Sequence, residues 1–290
     1  MGEISIDPKF NIHETYKKVR ILNPYRNSGA PASLPLIFTI NTNLGTGASM
    51  AIPTYFSWVY DYEVNWGDGA TTSGHTANAS HNYAAHGVYT LEITGIFPQF
   101  YFNNTGDKTK ITSIDQWGSI NYSTIQNETF FSLIRSNINS IADDISWINL
   151  VTNAEHMFYY ANLTSLPATM TLDSLQYNVG MFYKNNLTAL PPLMRLDNLV
   201  NGNRMFIDNA LTDLPSGITF PKLINGDYMF RGSTFPTNRY SQLLIDMESN
   251  NTNTGVKFHA GNSKYNASGQ TARNALVARG WVFTDGGLAA

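Results

Sequence analysis

The histidines and the paired carboxylates are the side chains of this sequence with most scope for chemistry. His75, His81 and His86 lie within one short stretch, and three imidazoles can bind zinc. We expect no metal site there, because His81 belongs to a strand pattern described below and the other two are predicted to lie in loops. Asp143 and Asp144 are adjacent, but their position beside a predicted strand favours a solvated turn over an acid–base pair.

Catalytic and cofactor motifs are incomplete. His13 and Glu14 lack the second histidine of the H-E-x-x-H motif, and the stretch from Gly45 to Met50 lacks the last glycine of the dinucleotide fingerprint. The sequence has no G-x-S-x-G elbow and no cysteine. We therefore expect a protein that is not an enzyme and that holds no cofactor and no metal. A polysaccharide-degrading enzyme stays open as an alternative, because the carboxylates of glycosidases leave little local trace.

The composition argues against two classes of partner. The 290 residues carry a net charge of −3, which is unlike a general nucleic-acid binder. No run approaches the roughly 18 apolar residues of a spanning helix, so we expect no membrane insertion, and the first residues do not resemble a secretory signal. Charged residues make up only 13%, and Asn, Thr, Ser and Tyr replace them on the predicted surface, which suits contacts with sugars or proteins.

A 24-residue repeat organises the middle of the chain. Its copies begin at Met157, Met181 and Met205, and a fourth begins at Met229. A fixed period in this range indicates a leucine-rich-repeat solenoid, in which each coil covers the apolar side of the next. We predict that the L-T-x-L segments form parallel strands and that the proline after each segment ends the strand. The recurring positions are Leu163, Leu187 and Leu211, then Leu166, Leu190 and Leu214, and then Pro167, Pro191 and Pro215.

The same register extends towards the N-terminus with small slips. The segment from Ile138 to Ile141 lies 25 residues before the one that starts at Leu163, and the segment from Ile111 to Ile114 lies a further 27 before that. We predict both as strands of the same stack. Asn185 and Asn209 are predicted to turn the chain, because asparagine tolerates the left-handed conformation.

Positions that vary between the copies define a candidate binding surface. They follow each Met-Phe pair, so the repeat would align them in a row, and exposed tyrosine gives contact area at low entropic cost. The alternative is plain surface variation. The candidate ligand-facing residues are Tyr159, Tyr160, Tyr183, Lys184, Ile207, Asp208 and Arg231.

The segment before the repeat reads as short strands joined by glycine-rich turns, which is typical of a small β-sandwich. The predicted strands span residues 36–40, 62–66 and 88–94. The V-N-W-G-D-G sequence at 64–69, the H-N-Y at 81–83 and the G-V-Y-T-L at 87–91 together resemble the PKD-type immunoglobulin-like domain. That resemblance implies a spacer or adhesion module.

The repeat and the C-terminus carry a second resemblance. The I-T-S-I-D-Q-W-G sequence at 111–118, the M-F-x-x-x-x-L-T-x-L-P units and the G-W-V-F-T-D-G-G sequence at 280–287 are similar to the BspA-like leucine-rich-repeat surface proteins, although the Gly-Cys of many family repeats is replaced. The resemblance implies surface binding.

Apolar periodicity predicts one helix through Tyr240, Leu243, Leu244 and Met247 and a second over 270–279, with short strands at 256–258 and 281–283.

The predicted organisation has four parts. An arm or linker covers residues 1–33, a PKD-like β-sandwich covers 34–106, a leucine-rich-repeat solenoid covers 107–236 and an α/β cap covers 237–290. The fold class expected is therefore mixed β and α+β. The arm carries five basic and three acidic residues, a net of +2, and we expect it either to remain disordered or to dock on another protein.

These observations favour a non-enzymatic adhesion or structural module. We expect a phage virion component, such as a fibre, tail-tip or capsid-decorating protein, that is displayed on the virion surface. Its expected partners are other virion proteins, through residues 1–33, and a glycan or protein on the host surface. A bacterial cell-surface adhesin, located outside the cell, is the alternative, and the sequence leaves a homo-oligomer open.

Overall fold

The computed structural model describes residues 34–119, 133 and 135–290, so the predicted arm over residues 1–33 lies outside the described residues. Two α-helices occur in the described part, α1 (Thr237–Asn250) and α2 (Ala267–Ala278). Eleven strands occur there as well. They are β1 (Leu36–Asn41), β2 (Ser49–Ile52), β3 (Asp61–Asn65), β4 (Thr71–His75), β5 (Ala79–Asn82), β6 (Val88–Ile96), β7 (Ile111–Gln116), β8 (Ser140–Ile141), β9 (Asn225–Gly226), β10 (Lys257–His259) and β11 (Val282–Thr284).

The largest sheet has six strands in the order β4-β3-β6-β1-β7-β8, and β2 pairs with β5 in a separate antiparallel pair. Strand β1 shows why these segments form strands: its side chains alternate between buried and partly buried, and Leu36, Phe38 and Ile40 enter the core. The strands predicted near 36–40, 62–66 and 88–94 are therefore present as β1, β3 and β6. Together these strands make a small β domain.

The W-G-D-G sequence forms a tight corner between β3 and β4. Gly67 and Gly69 have φ of +80° and +94°, and a side chain on Gly67 would meet the Thr90 carbonyl oxygen. The ring of buried Trp66 stacks on His81 with centroids 5.1 Å apart, and the Tyr83 hydroxyl donates to the Trp66 carbonyl at 3.0 Å. These motif residues therefore hold the corner together from the inside.

The predicted leucine-rich-repeat solenoid is wrong. Strands β7 and β8 do pair in parallel, with Ser113 opposite Ser140, but the series of L-T-x-L strands stops there. Residues 142–224 contain no strand, only single parallel bridges such as Tyr177 to Asn201. The fold is instead a β-rich mixed one, with sheets of six, three and two strands.

Buried asparagine side chains explain why the L-T-x-L segments are not strands. The Leu163 N–H, which a strand ladder would use, donates to Asn185 Oδ1 at 2.9 Å, and the Leu187 N–H donates to Asn209 Oδ1 at 3.1 Å. A side chain that takes a backbone amide in this way competes with sheet formation. Both asparagines have negative φ, so the prediction that they adopt the left-handed conformation is also wrong; the residues just before them, Lys184 and Asp208, adopt it instead.

Asn185 is expected to stabilise the chain through these contacts. Its Nδ2 also donates to the Phe158 carbonyl at 2.7 Å, and the residue is only 3% exposed. Because Asn185→Ala leaves two buried backbone groups without this partner, we expect the free energy of unfolding to fall by about 2 kcal/mol in urea denaturation. The neighbouring exposed Asn186 is the matched control, and Asn186→Ala should change stability by less than about 0.5 kcal/mol. Equal effects of the two substitutions would contradict this role.

The 24-residue period appears in the structure as a stack of turns. Along one wall of the stack, four backbone hydrogen bonds join each turn to the next, and each links residues 23 apart, as in Phe158 N–H to the Met181 carbonyl at 2.9 Å. Inside the turns, the rings of Phe158, Phe182, Phe206 and Phe230 form a column with centroids 5.8, 5.5 and 5.5 Å apart and nearly parallel planes. All four rings are buried. The period also recurs in the leucine segments, where the Asn186 N–H donates to the Leu163 carbonyl at 2.8 Å and the Ala210 N–H donates to the Leu187 carbonyl at 3.0 Å, so it orders both walls of the stack without producing strands in the leucine segments.

The C-terminal segment packs on the end of this stack. Helix α1 buries Tyr240, Leu243, Leu244 and Met247, as the apolar periodicity predicts, and α2 ends before Gly280, whose φ is +84°. Strands β9, β10 and β11 form a parallel sheet. The Phe230 N–H donates to the His259 carbonyl at 3.0 Å, so β10 continues the hydrogen bonding where the repeats end.

Candidate functional site

The candidate surface is built by left-handed residues that recur in each turn of the stack. One series is Tyr160, Lys184, Asp208 and Gly232, and a second is His156, Gly180, Arg204 and Tyr228; φ lies between +49° and +92° in both. Residues in this conformation at equivalent positions direct their side chains to the same side of the stack. The spacing of the turns therefore aligns these side chains into rows.

Glycine occupies one position in each of the two series, at Gly180 and Gly232. The turn itself therefore accepts a residue without a side chain. Left-handed conformation costs other L-residues roughly 1–2 kcal/mol. Side chains that persist at such positions despite this cost are concentrated at functional sites.

Tyrosine rings form the centre of the row. The rings of Tyr159 and Tyr183 stack with centroids 4.4 Å apart and planes within 8°, and Tyr160 lies 5.7 Å from Tyr183. The Lys184 amino group lies 5.2 Å from the centre of the Tyr160 ring. All four residues are partly exposed. The structure thus brings four of the sequence-predicted residues together.

An ion pair continues the row. Arg231 donates two hydrogen bonds to Asp208 from its Nη2, at 2.8 and 2.9 Å, and one from Nε at 3.1 Å. The Asp208 carboxylate raises the pKa of the Arg231 guanidinium. Lys184 lies 3.9 Å from the same carboxylate, at the limit of an ion pair. Hydrogen bonding with the Tyr160 side chain is the main cause that raises the pKa of the Lys184 amino group, and electrostatic attraction to the same side chain adds to it.

Ile207 does not belong to this surface, so its assignment as ligand-facing is wrong. The side chain is 2% exposed. Ile207 is aligned with Tyr159, Tyr183 and Arg231 by the 24-residue period. An aliphatic side chain at that position is more stable when it turns inward, because its apolar surface is then removed from water. We therefore define the tyrosine–cation row as Tyr159, Tyr160, Tyr183, Lys184, Asp208 and Arg231.

Three residues that sequence reasoning missed extend the row. The Arg135 guanidinium lies 5.6 Å from the centre of the Tyr160 ring, and the Arg204 guanidinium lies 5.6 Å from that of Tyr228. The Tyr228 ring in turn stacks on His259 with centroids 5.7 Å apart. Arg204 and Tyr228 lie 24 residues apart, so the repeat period could have identified them. Arg135 lies 25 residues before Tyr160, so a strict 24-residue spacing misses it.

The histidines considered for zinc have separate partners. His81 contacts the Asp68 carboxylate at 2.7 Å, His75 contacts the Thr72 hydroxyl at 2.7 Å, and His86 contacts the Thr42 carbonyl at 3.0 Å. The hydrogen bond from His81 lowers the pKa of Asp68. No group of three or more histidine, cysteine or acidic side chains that could hold a metal ion occurs within residues 34–119, 133 and 135–290.

Asp143 and Asp144 are both exposed, and Asp144 has a backbone role. Its carboxylate accepts hydrogen bonds from the Trp117 N–H at 3.0 Å and the Gly118 N–H at 2.9 Å. Gly118 has φ of +70° and approaches the Pro35 carbonyl too closely for a side chain. Asp144 thus secures the chain reversal after β7.

A second exposed aromatic surface lies on the loop between β2 and β3. Phe56 is 89% exposed, and its ring contacts Tyr55, which in turn contacts Tyr101 with centroids 4.6 Å apart. No charged residue lies between Ser49 and Tyr60. This aromatic loop (residues 53–60) differs chemically from the tyrosine–cation row.

Among the residues that the structure describes, no helix is both long enough and apolar enough to cross a bilayer. No protein-family model, no characterised protein and no solved structure matches the chain significantly. The function is therefore inferred from the chemistry of the site.

Proposed function

We propose that this protein is a non-enzymatic adhesion module whose tyrosine–cation row binds a polymer on a host surface. One observation carries the proposal: large side chains occupy left-handed positions in several turns of the stack, although glycine occupies the equivalent position in another turn. Tyr160, Lys184 and Asp208 occupy such positions and touch one another or their neighbours in a continuous line. A purely structural turn would gain stability from glycine there.

The chemistry of the row suits recognition better than catalysis. Stacked tyrosines offer rigid contact area and hydroxyl groups with little loss of side-chain entropy on binding. The rings also hold the Lys184 amino group in place through cation–π contact, so this donor is oriented before a ligand arrives. Repetition of the turn spreads such contacts along a line, which matches an extended ligand.

Substituting Lys184 separates binding from stability. Lys184→Asn removes the cation but keeps a residue that tolerates left-handed φ, so we expect stability within about 1 kcal/mol of the parent chain or higher. Binding to an array of bacterial envelope polysaccharides is expected to fall by about tenfold or more, because an oriented charged donor is lost. Thermal unfolding and array binding measure the two quantities.

The matched control for this experiment is Lys222→Asn. The Lys222 amino group donates to Asn198 Oδ1 at 2.7 Å, and the residue is exposed and lies outside the row. This variant should bind like the parent chain. Unchanged binding by Lys184→Asn, together with loss in a Phe56→Ser variant, would place the ligand on the aromatic loop and contradict the role of the row.

The proposed setting is the surface of a phage particle, as a fibre, tail-tip or capsid-decorating component. The polar but weakly charged composition, with 13% charged residues, suits an exposed protein that contacts sugars or proteins. A bacterial cell-surface adhesin is the alternative setting. Electron microscopy with an antibody to the protein distinguishes them, since the label would decorate either particles or cells.

The net charge of +2 over residues 1–33 motivates a second proposal, that this segment attaches the protein to other virion components. Deleting residues 1–33 is expected to abolish incorporation into particles, measured by blotting purified virions. The truncated protein must keep the melting temperature of the full chain, so that loss of folding is not mistaken for loss of docking. Normal incorporation of the folded, truncated protein would overturn this assignment.

A further inference from the structure

We infer that the ligand of the tyrosine–cation row is anionic, and that one of its acidic groups binds between Arg135 and Lys184 beside the Tyr160 ring. This inference rests on the proposed function and adds the chemical class of the ligand. It is carried by the arrangement of charge around one aromatic ring.

Two cations approach the same ring. The Arg135 guanidinium carbon lies 5.6 Å from the centre of the Tyr160 ring, and the Lys184 amino group lies 5.2 Å from it. Both contacts are within the range of cation–π attraction. Because the ring holds both groups, their positions are set before a ligand binds.

Carboxylates in the described part of the chain leave these cations largely uncompensated. Arg135 has no carboxylate within the 4.0 Å of an ion pair there. Lys184 reaches Asp208 only at 3.9 Å, and that carboxylate is already held by three hydrogen bonds from Arg231. Glu155 lies 3.8 Å from the His156 ring and within ion-pair distance of neither cation.

A third cation adds to the positive charge at this end of the row. Burial lowers the pKa of the Lys108 amino group, and repulsion from Arg135 lowers it further. Two like charges close enough to repel each other would gain from an anion placed beside them. A neutral sugar offers no such compensation.

Arg204 repeats the arrangement further along the stack. Its guanidinium lies 5.6 Å from the centre of the Tyr228 ring, it is exposed, and it also has no carboxylate within ion-pair distance in the described residues. An extended polymer that carries acidic groups at intervals can contact both places at once. Guanidinium binds carboxylate and phosphate alike through paired hydrogen bonds, so the shared chemistry is an oxyanion.

The test measures binding of three polymers by calorimetry. Polygalacturonate presents carboxylates, poly(glycerol phosphate) presents phosphates and dextran presents no charge. The parent chain is compared with an Arg135→Gln/Lys184→Gln double variant and with a Lys222→Gln/Lys257→Gln double variant, which removes two exposed cations outside the row. The two variants have the same net charge, so a difference between them reports position and not total charge.

We expect the parent chain to bind at least one acidic polymer and not dextran. The Arg135→Gln/Lys184→Gln variant should bind about tenfold or more weakly, and the control variant should bind like the parent chain. Parent binding should also weaken as salt rises from about 50 to about 300 mM, because mobile ions screen the attraction. The acidic polymer that binds more tightly identifies the source of the oxyanion.

Failure of the inference is distinguishable from failure of the proposed function. Equal binding of dextran and the acidic polymers, or acidic binding that the two variants reduce equally, would overturn the inference. If neither acidic polymer binds while the Lys184-dependent array signal persists, the adhesion role stands and the anionic class is wrong. Absence of any array signal would remove the proposed function together with the inference.

Discussion

Replacing Phe182 with alanine is expected to lower the free energy of unfolding by about 4 kcal/mol. The Phe182 ring is fully buried and lies between Phe158 and Phe206, with centroids 5.8 and 5.5 Å away. Truncation removes contacts on both faces of the ring, and the backbone hydrogen bonds between turns on either side prevent the neighbours from closing the gap. Urea denaturation followed by circular dichroism measures the loss.

Leu193 supplies the matched control for Phe182. It lies in the same 24-residue copy but is 56% exposed, so Leu193→Ala should change stability by less than about 0.5 kcal/mol. A loss below about 1 kcal/mol for Phe182→Ala would mean that the ring column is not a main source of stability. The stack would then depend chiefly on its backbone hydrogen bonds.

Lys110→Met is expected to lower the free energy of unfolding by about 3 kcal/mol. Lys110 is fully buried, and its amino group lies 2.8 Å from the Asp107 carboxylate and donates to the carbonyls of Thr46 and Ser49 at 3.0 and 2.7 Å. Methionine keeps much of the volume but leaves three acceptors without their donor. Thermal and urea unfolding at neutral pH measure the effect.

Two further variants identify the cause of this loss. Lys108→Met removes a nearby cation that has no carboxylate within ion-pair distance in the described residues, and it should cost less than about 1 kcal/mol. Adding Asp107→Asn to Lys110→Met should recover part of the stability, because the partly buried carboxylate that has lost its cation is then replaced by a neutral amide. No recovery in the double variant would indicate that the two carbonyl contacts, and not the ion pair, carry the effect.

The strands of the β domain could be predicted because alternation of apolar and polar residues is a local signal. Strands β1, β3 and β6 show this alternation. Helix α1 carries a different local signal, the spacing of its apolar residues by three and four positions. The leucine segments carried a similar signal, yet they are not strands. The deciding contact, Asn185 Oδ1 to the Leu163 N–H, joins residues 22 apart and has no local signature.

The sequence predicted which residues of the candidate site lie on one line, but it could not predict which of their side chains face the solvent. The 24-residue spacing placed Tyr159, Tyr183, Ile207 and Arg231 on one line. It could not tell that the aliphatic member would turn into the core. Arg135 was missed because the copy that contains it is one residue longer; its left-handed φ of +57° and the hydrogen bond from its N–H to the Tyr159 carbonyl at 2.8 Å reveal its equivalence to Tyr160.

The equal step between turns has a consequence for how such a chain can change in length. Phe158 N–H to Met181, Phe182 N–H to Met205 and Phe206 N–H to Met229 are the same contact repeated. A duplication or excision of one whole 24-residue copy would return every donor to an equivalent acceptor, whereas an insertion within the hydrogen-bonded segment itself would shift the donors against the acceptors. Recombination between copies can therefore lengthen or shorten the binding face and exchange its side chains, while the two ends of the molecule stay unaltered.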